Sequence, residues 1–350
     1  MGRRFKKLTT LALKRYEYID ILRGYAILMV LIDHFAIYFN SLYDNYFYNL
    51  SMLGRYGVVL FFIVSAYTLT MSLEYRKNNN EYKIYSKYFL RRFFRIAPLY
   101  YLILMYCYLF LRYVGIENSI VSDISFGNIL AHLLFIDQIF PKYINSILGV
   151  EWTISVEFAF YALLPFIAFW TYKKLGYLFF VSLILSILVM AFRKYYYVDG
   201  WWLHYTILEW FYVFVGGIVL YKIDLSQKII KNSKYLIFII LANIVIMSLV
   251  HLPFQHYYMF FTLIIFFIYI KYCYQENLYN KIISFIGKIS FSIYLIHYVV
   301  LRYFKEYFEQ SWINLFYSLL LIFIISVFTY FTIERNGIKL GKMIIEKIDR

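Results

Sequence analysis

The chain has 350 residues, of which 63% are hydrophobic and 16% charged, and its mean hydropathy is +0.64. An ordinary soluble domain holds about 45–50% apolar and about 25% charged residues, so disorder is excluded and a single soluble core could not hide this much apolar surface. An all-α polytopic membrane protein is the class that remains, and the formal charge of +15 clusters between apolar stretches, as topogenic charge on cytoplasmic loops rather than a nucleic-acid face.

The basic N-terminus, MGRRFKKLTTLALKRYEYID, has an apolar stretch too short for a signal peptide and no small-residue cleavage site. Residues 1–17 are therefore expected to be a cytoplasmic tail. A membrane span needs about 20 apolar residues. Ten stretches qualify: 19–39, 56–73, 96–114, 152–171, 175–192, 203–221, 235–251, 256–271, 282–301 and 312–333. FGNILAHLLFIDQIF (126–140) is shorter, ends at Pro141, and is expected to be re-entrant or interfacial. With the N-terminus inside, 26 Lys and Arg fall on the cytoplasmic side and seven on the other. That asymmetry predicts ten helices over 18–333, both termini cytoplasmic and a short tail over 334–350. Cys107 and Cys273 show no CxxC or Cys/His spacing, so neither a disulfide framework nor a zinc site is expected.

An ionisable group inside the bilayer costs at least about 2.5–3.5 kcal/mol, which makes each one a functional candidate. The first span, YIDILRGYAILMVLIDHF, is the richest. At about 100° per residue, Asp20, Arg23 and His34 share one helical stripe and Asp33 lies on another. His34 stands about 22 Å along the helix from Ile19, and an imidazole suits proton transfer near neutrality. The run KYFLRRFFRIAPLYY sets Arg92 and Arg95 one helical turn apart at the cytoplasmic start of the third span. Such a guanidinium pair suits phosphates, and also suits a lipid-headgroup anchor. GVEWTISVEFAFYALLP puts Trp152, Ser155 and Glu157 at the extracytoplasmic start of the fourth span. Glu157 there is a general acid/base candidate or a partner for a cation on another helix. GKISFSIYLIHYVVL carries Ser290, Ser292, Tyr294 and His297 in the ninth span.

Five segments in this order resemble the acyltransferase 3 family of bacterial integral-membrane O-acyltransferases. They are YIDILRGYAILMVLIDHF with Arg23 and His34, GVVLFFIVSAYTL, RRFFRIAPLYY with Arg92 and Arg95, WTISVEFAFYALLP, and GKISFSIYLIHYVVL. The resemblance runs from Tyr18 to about Thr332. The sequence departs from the family pattern at Ala66 for Gly, Thr153 for Ser and Val299 for Pro, and Asp33 beside His34 is unusual. The resemblance implies transfer of an acyl group, usually acetyl, from cytoplasmic acetyl-CoA or another acyl-CoA to a cell-surface glycan or lipid-linked saccharide, at the bacterial plasma membrane. In that frame His34 is the base or a transient acyl carrier. Arg23 and Asp20 orient it or stabilise charge, and Arg92 and Arg95 hold the donor's phosphates. Glu157 stands with them as a catalytic candidate. Trp152, Ser155, Ser292, Tyr294 and His297 are secondary ones. A thioester carbonyl is already activated, so no metal is expected. A polysaccharide repeat-unit flippase and an O-succinyltransferase of the same fold are the rival readings, and a homo-oligomer is left open.

Overall fold

The computed structural model describes residues 2–114, 125–195, 201–223, 234–249, 255–273 and 277–349, without the side chains of residues before Glu17, of 110–114, of Lys234 and of Cys273. The described residues form helices and turns, and no strand. In chain order the helices are α1 (Gly2–Tyr38), α2 (Asn45–Ser51), α3 (Gly57–Asn78), α4 (Ile84–Val114), α5 (Phe126–Leu133), α6 (Trp152–Ile167), α7 (Tyr172–Tyr195), α8 (Ile207–Lys222), α9 (Lys234–Leu249), α10 (Gln255–Cys273), α11 (Leu278–Lys288), α12 (Ser290–Tyr307), α13 (Trp312–Thr329) and α14 (Arg335–Ile348). Five helical stretches are long and apolar enough to cross a membrane: Glu17–Tyr38, Asn45–Asn78, Tyr172–Tyr195, Trp201–Lys222 and Trp312–Ile348. The bent pair α11 and α12 makes a sixth if it counts as one span. By length and composition the described residues thus carry five or six spans, against the ten expected. Apolar faces turned outward fit a lipid solvent: α7 exposes Phe180, Ile184 and Leu188 along one stripe.

Several expected boundaries move. The segment 282–301 is not one straight span, because α11 and α12 meet at 70° around Ile289. The first basic residues do not precede a helix but continue into it, since α1 runs unbroken from Gly2. The charged loop expected over 74–95 shrinks to about five residues. The run of asparagines explains the turn: Asn80 and Lys83 take positive φ of 54° and 50°, and Asn tolerates that region better than most residues. Arg92 and Arg95 therefore sit inside α4, Arg92 about 12 Å beyond its start. α5 has eight residues, about 12 Å of helix, too short to cross. The tail 334–350 is ordered: a π-turn at Tyr330–Glu334 links α13 to α14. Most of the loop expected over 222–234 lies outside the described residues.

The described chain divides into two compact units. The first comprises residues 1–64, 224–294 and 301–320. Here α11 lies directly on α1. A side chain at Gly287 would strike the backbone carbonyl of Asp20, so only Gly permits that approach. Tyr18 and Tyr25 meet Phe267 and Phe266 of α10 edge to face at 6.2 and 5.2 Å. The second unit comprises residues 65–223, 295–300 and 321–350. α7 runs along α8, with the Ser186 hydroxyl donating to the Glu209 carbonyl at 2.7 Å. Phe160 of α6 stacks on Phe214 of α8 at 4.2 Å. α14 lays Gly337 and Gly341 against Phe94 and Pro98 of α4, and Asp349 beyond α14 pairs with Lys87 near the start of α4.

Candidate functional site

In the first unit, His34 lies on α1 four residues after Val30, and its Nδ1 is 3.0 Å from the Val30 carbonyl oxygen. A carbonyl can only accept, so Nδ1 carries the proton and Nε2 is the basic nitrogen. Asp33, next in the chain, faces a 3-10 turn at Met52–Tyr56, where Arg55 Nε stands 3.5 Å from its Oδ1. Arg55 Nε also donates to the Met52 carbonyl at 2.9 Å. The turn is pressed onto α1: a side chain at Gly54 would collide with the Met29 carbonyl and the Asp33 amide. Arg23 and Asp20 form their own pair at 3.8 Å. Their place on the His34 stripe does not bring them to it, because eleven residues of unbroken helix separate Arg23 from His34 by about 16 Å. Arg55 electrostatically reaches His34; in the sequence it is one of the seven basic residues counted opposite the cytoplasmic side.

In the second unit, α4 and α6 bring together residues that the sequence reading placed at opposite ends of spans. Arg92 of α4 lies within electrostatic reach of Arg95 and Tyr88 of its own helix and of Glu157 and Tyr161 of α6. The Tyr161 hydroxyl donates to Glu157 Oε2 at 2.9 Å. Glu157 thus neighbours Arg92, a cation on another helix. Arg92 Nε is sealed from solvent and has no hydrogen-bond partner. Several other cations of this unit meet carboxylates. Arg91 grips Glu81 with two bonds of 3.0 and 2.8 Å, and Arg76 bonds the same carboxylate at 2.9 Å. Partial burial opposes charge on Glu81, yet those two guanidiniums hold its carboxyl below the ordinary value. Lys222 pairs with Glu74. Among the described residues, Arg92 and Arg95 have no carboxylate in ion-pair range.

The same unit holds a buried polar centre that sequence reasoning missed. The Nδ1 of His132, on α5, bonds the Asn128 carbonyl at 2.9 Å, and its Nε2 faces Glu151 Oε1 at 3.3 Å. Both side chains are fully buried. Glu151 also accepts from the backbone amides of Ile147 and Leu148 at 2.9 and 3.1 Å. Burial opposes charge on both groups, but each supports the other's charged form: His132 is raised and Glu151 lowered from their ordinary values. The rule that flagged His34, an ionisable group in an apolar stretch, would have flagged His132 as well.

The secondary candidates scatter. Trp152 meets Tyr205, His204 and Trp210 at ring separations of 5.2, 5.9 and 6.1 Å. The buried Ser155 hydroxyl donates to Asp137, and its carbonyl accepts from Gln138 at 2.8 Å. Ser292 and His297 are buried on α12, and Tyr294 meets Phe61 at 6.4 Å. Among the described residues no three His, Cys, Asp or Glu side chains converge as metal ligands do. The groups suited to an anionic co-substrate are Arg92 and Arg95.

No curated protein and no solved structure matches the chain. A family model described as an acyltransferase domain matches residues 16–334, a range that takes in His34, the arginine pair, Glu157 and the buried His132 centre. An apolar, all-helical chain matched over nearly its whole length belongs to the acyltransferase 3 family.

Proposed function

We propose that this chain is an O-acyltransferase of the bacterial plasma membrane. It moves an acetyl group from acetyl-CoA, or a larger acyl group from its CoA thioester, to a hydroxyl of a cell-surface or lipid-linked saccharide. The observation that carries the donor assignment is the arginine pair. Arg76, Arg91, Lys87 and Lys222 each meet a carboxylate, whereas Arg92 and Arg95 do not. Two guanidiniums one turn apart suit the diphosphate and ribose phosphate of CoA by bidentate hydrogen bonding. Glu157, held by Tyr161, is a positioning residue for Arg92.

His34 is the base. Its Nε2 takes the proton of the acceptor hydroxyl as the hydroxyl oxygen bonds to the thioester carbonyl carbon, and the carbonyl electron pair moves to oxygen. Collapse of that oxyanion re-forms the carbonyl and breaks the carbon–sulfur bond. The leaving thiolate then receives the proton from the imidazolium. The thioester supplies the activated carbonyl, so the step needs no metal. Arg23 and Asp20, joined to each other a long way down α1, support the helix rather than the reacting atoms.

Mass spectrometry of surface glycan from cells carrying wild-type protein, His34→Ala, or no copy tests this reading. Equal protein levels with the acyl increment present only in wild type support it, and the size of the increment identifies the acyl group. Full acylation in His34→Ala cells would refute it.

A further inference from the structure

The step above creates an oxyanion, and the arginine expected to serve it lies about 16 Å down α1. We propose that Arg55 is the oxyanion-binding cation of the reaction, with Asp33 as the residue that positions it; the proposal rests on the reading of His34 as the base. Three observations lead to it. First, Asp33 precedes His34 on α1, and its buried carboxylate, 6% exposed, stands 3.5 Å from Arg55 Nε. An ion pair to the neighbouring residue sets the guanidinium at the axial level of the imidazole, about 100° round the helix from it. Second, the turn bearing Arg55 cannot drift, because Gly54 and Gly57 seat it on the backbone of α1 at Met29, Asp33 and Ala26. Third, the single N–H of Nε donates to the Met52 carbonyl at 2.9 Å, and the Asp33 carboxylate stands beside it at 3.5 Å as an ion pair without a hydrogen bond. Among the described residues the two terminal nitrogens have no partner, and the side chain is 49% exposed. A guanidinium held through Nε keeps both terminal N–H groups for a ligand, within electrostatic reach of His34.

This arrangement matches what transition-state stabilisation requires. A donor held rigidly where negative charge develops costs no reorganisation at the moment of reaction. Asp33 does not touch the substrate; it keeps Arg55 from rotating away. In the balanced step, His34 Nε2 carries the hydroxyl proton while Arg55 bonds the new oxyanion. Both groups are released when the carbonyl re-forms and the thiolate leaves.

The test uses the full chain in lipid nanodiscs, with acetyl-CoA and surface glycan stripped of its acyl groups, and reads release of the CoA thiol. Removing one oxyanion donor lowers kcat by about 10²–10³-fold. That loss is expected for Arg55→Gln, with acetyl-CoA affinity by calorimetry unchanged. Arg55→Lys keeps the charge and should recover part of the rate. Asp33→Asn keeps Arg55 but loosens it, and should lose less than Arg55→Gln. Free guanidinium should raise the rate of Arg55→Ala and leave that of His34→Ala unmoved. Wild-type kcat in Arg55→Gln overturns the proposal, as does a loss confined to the acceptor KM, which would make Arg55 a ligand for an acidic acceptor. If Arg55→Ala does not fold, the Gln and Lys variants carry the test. An active His34→Ala removes the base, and this role for Arg55 with it, whereas inactive His34→Ala beside active Arg55→Gln sinks the oxyanion role alone.

Discussion

Two histidines, one in each unit, share the same tether and differ in everything else. His34 and His132 each direct Nδ1 to the carbonyl four residues earlier, at 3.0 and 2.9 Å. At His132 the second nitrogen faces the Glu151 carboxylate in a fully buried site. Both its nitrogens meet acceptors, which is the geometry of a doubly protonated imidazolium. The Arg55 guanidinium lies within electrostatic reach of His34. The shared tether fixes a proton on Nδ1, and what faces Nε2 decides whether the ring works as a base or as a structural cation.

The contrast is broken most directly by deleting each ring. His34→Ala should reduce acylation by at least the 10²–10⁴-fold that general base catalysis typically supplies, with protein level and donor affinity unchanged. Glycan mass spectrometry and calorimetry read the two sides. The corresponding lesion in the other unit should act on stability. Glu151→Ala leaves the His132 charge buried and unpaired, and it releases the amides of Ile147 and Leu148. Breaking a buried pair costs about 3–5 kcal/mol, which would appear as low yield and a depressed Tm. A Glu151→Ala protein with normal Tm would show that the pair does not hold the segment before α6.

What could be read in the sequence was decided by local pattern. Scarcity of Pro and Gly and long apolar runs give an all-helical membrane chain, and the RRFFR cluster marks the arginine pair without any structure. The stripe argument for Arg23 failed for a definite reason: helical angle aligns residues, but axial rise separates them. Arg55 was out of reach because its relation to Asp33 depends on a tight turn seated through Gly54, a tertiary contact between segments twenty residues apart. The bend at Ile289 has no Pro to announce it. It follows the close approach of Gly287 to α1, which no periodicity encodes. The nearness of Glu157 to Arg92 was not legible because the path by which residues 126–151 carry the chain to α6 was not visible. Phe135, stacked on Phe158 at 3.6 Å and on Tyr100 at 5.2 Å, places that segment against the middle of α4.

The next effect in size concerns the two kinds of arginine in α4. Arg91 is held by Glu81, and Arg92 and Arg95 are not. Lys keeps the charge but loses the planar fork. A charge-assisted hydrogen bond contributes about 1.5–3 kcal/mol, so Arg92→Lys and Arg95→Lys should each weaken acetyl-CoA binding by roughly ten- to a hundredfold. Arg91→Lys should leave donor affinity unchanged. Calorimetry on the three variants separates a donor site from a lipid anchor, for which Lys would serve equally well. Equal affinities throughout would remove the donor role.

The smallest effect sharpens the comparison through pH. The folded value of His132 is raised above its ordinary one: burial opposes this, and the hydrogen bond and charge of Glu151 outweigh it. A raised base contributes stability that is fully present below its unfolded value, about 6.5. That contribution is lost as pH rises through the folded value. Glu151 is lowered, so its own contribution is present above the unfolded carboxylate value and lost as pH falls through the folded one. The pair is therefore complete in the weakly acidic to neutral window. Asp137 is pushed up to about 6 by burial, and it adds its own loss of stability as pH rises toward neutrality. His132→Gln removes the imidazolium and, with it, the charge that holds Asp137 down. The Tm gap between wild type and His132→Gln should then be widest in weak acid and should narrow as pH is raised into the alkaline range. A gap that stays constant across that range would mean that His132 is held by its tether to Asn128 and by packing rather than by its charge, and the two histidines would then differ in burial alone.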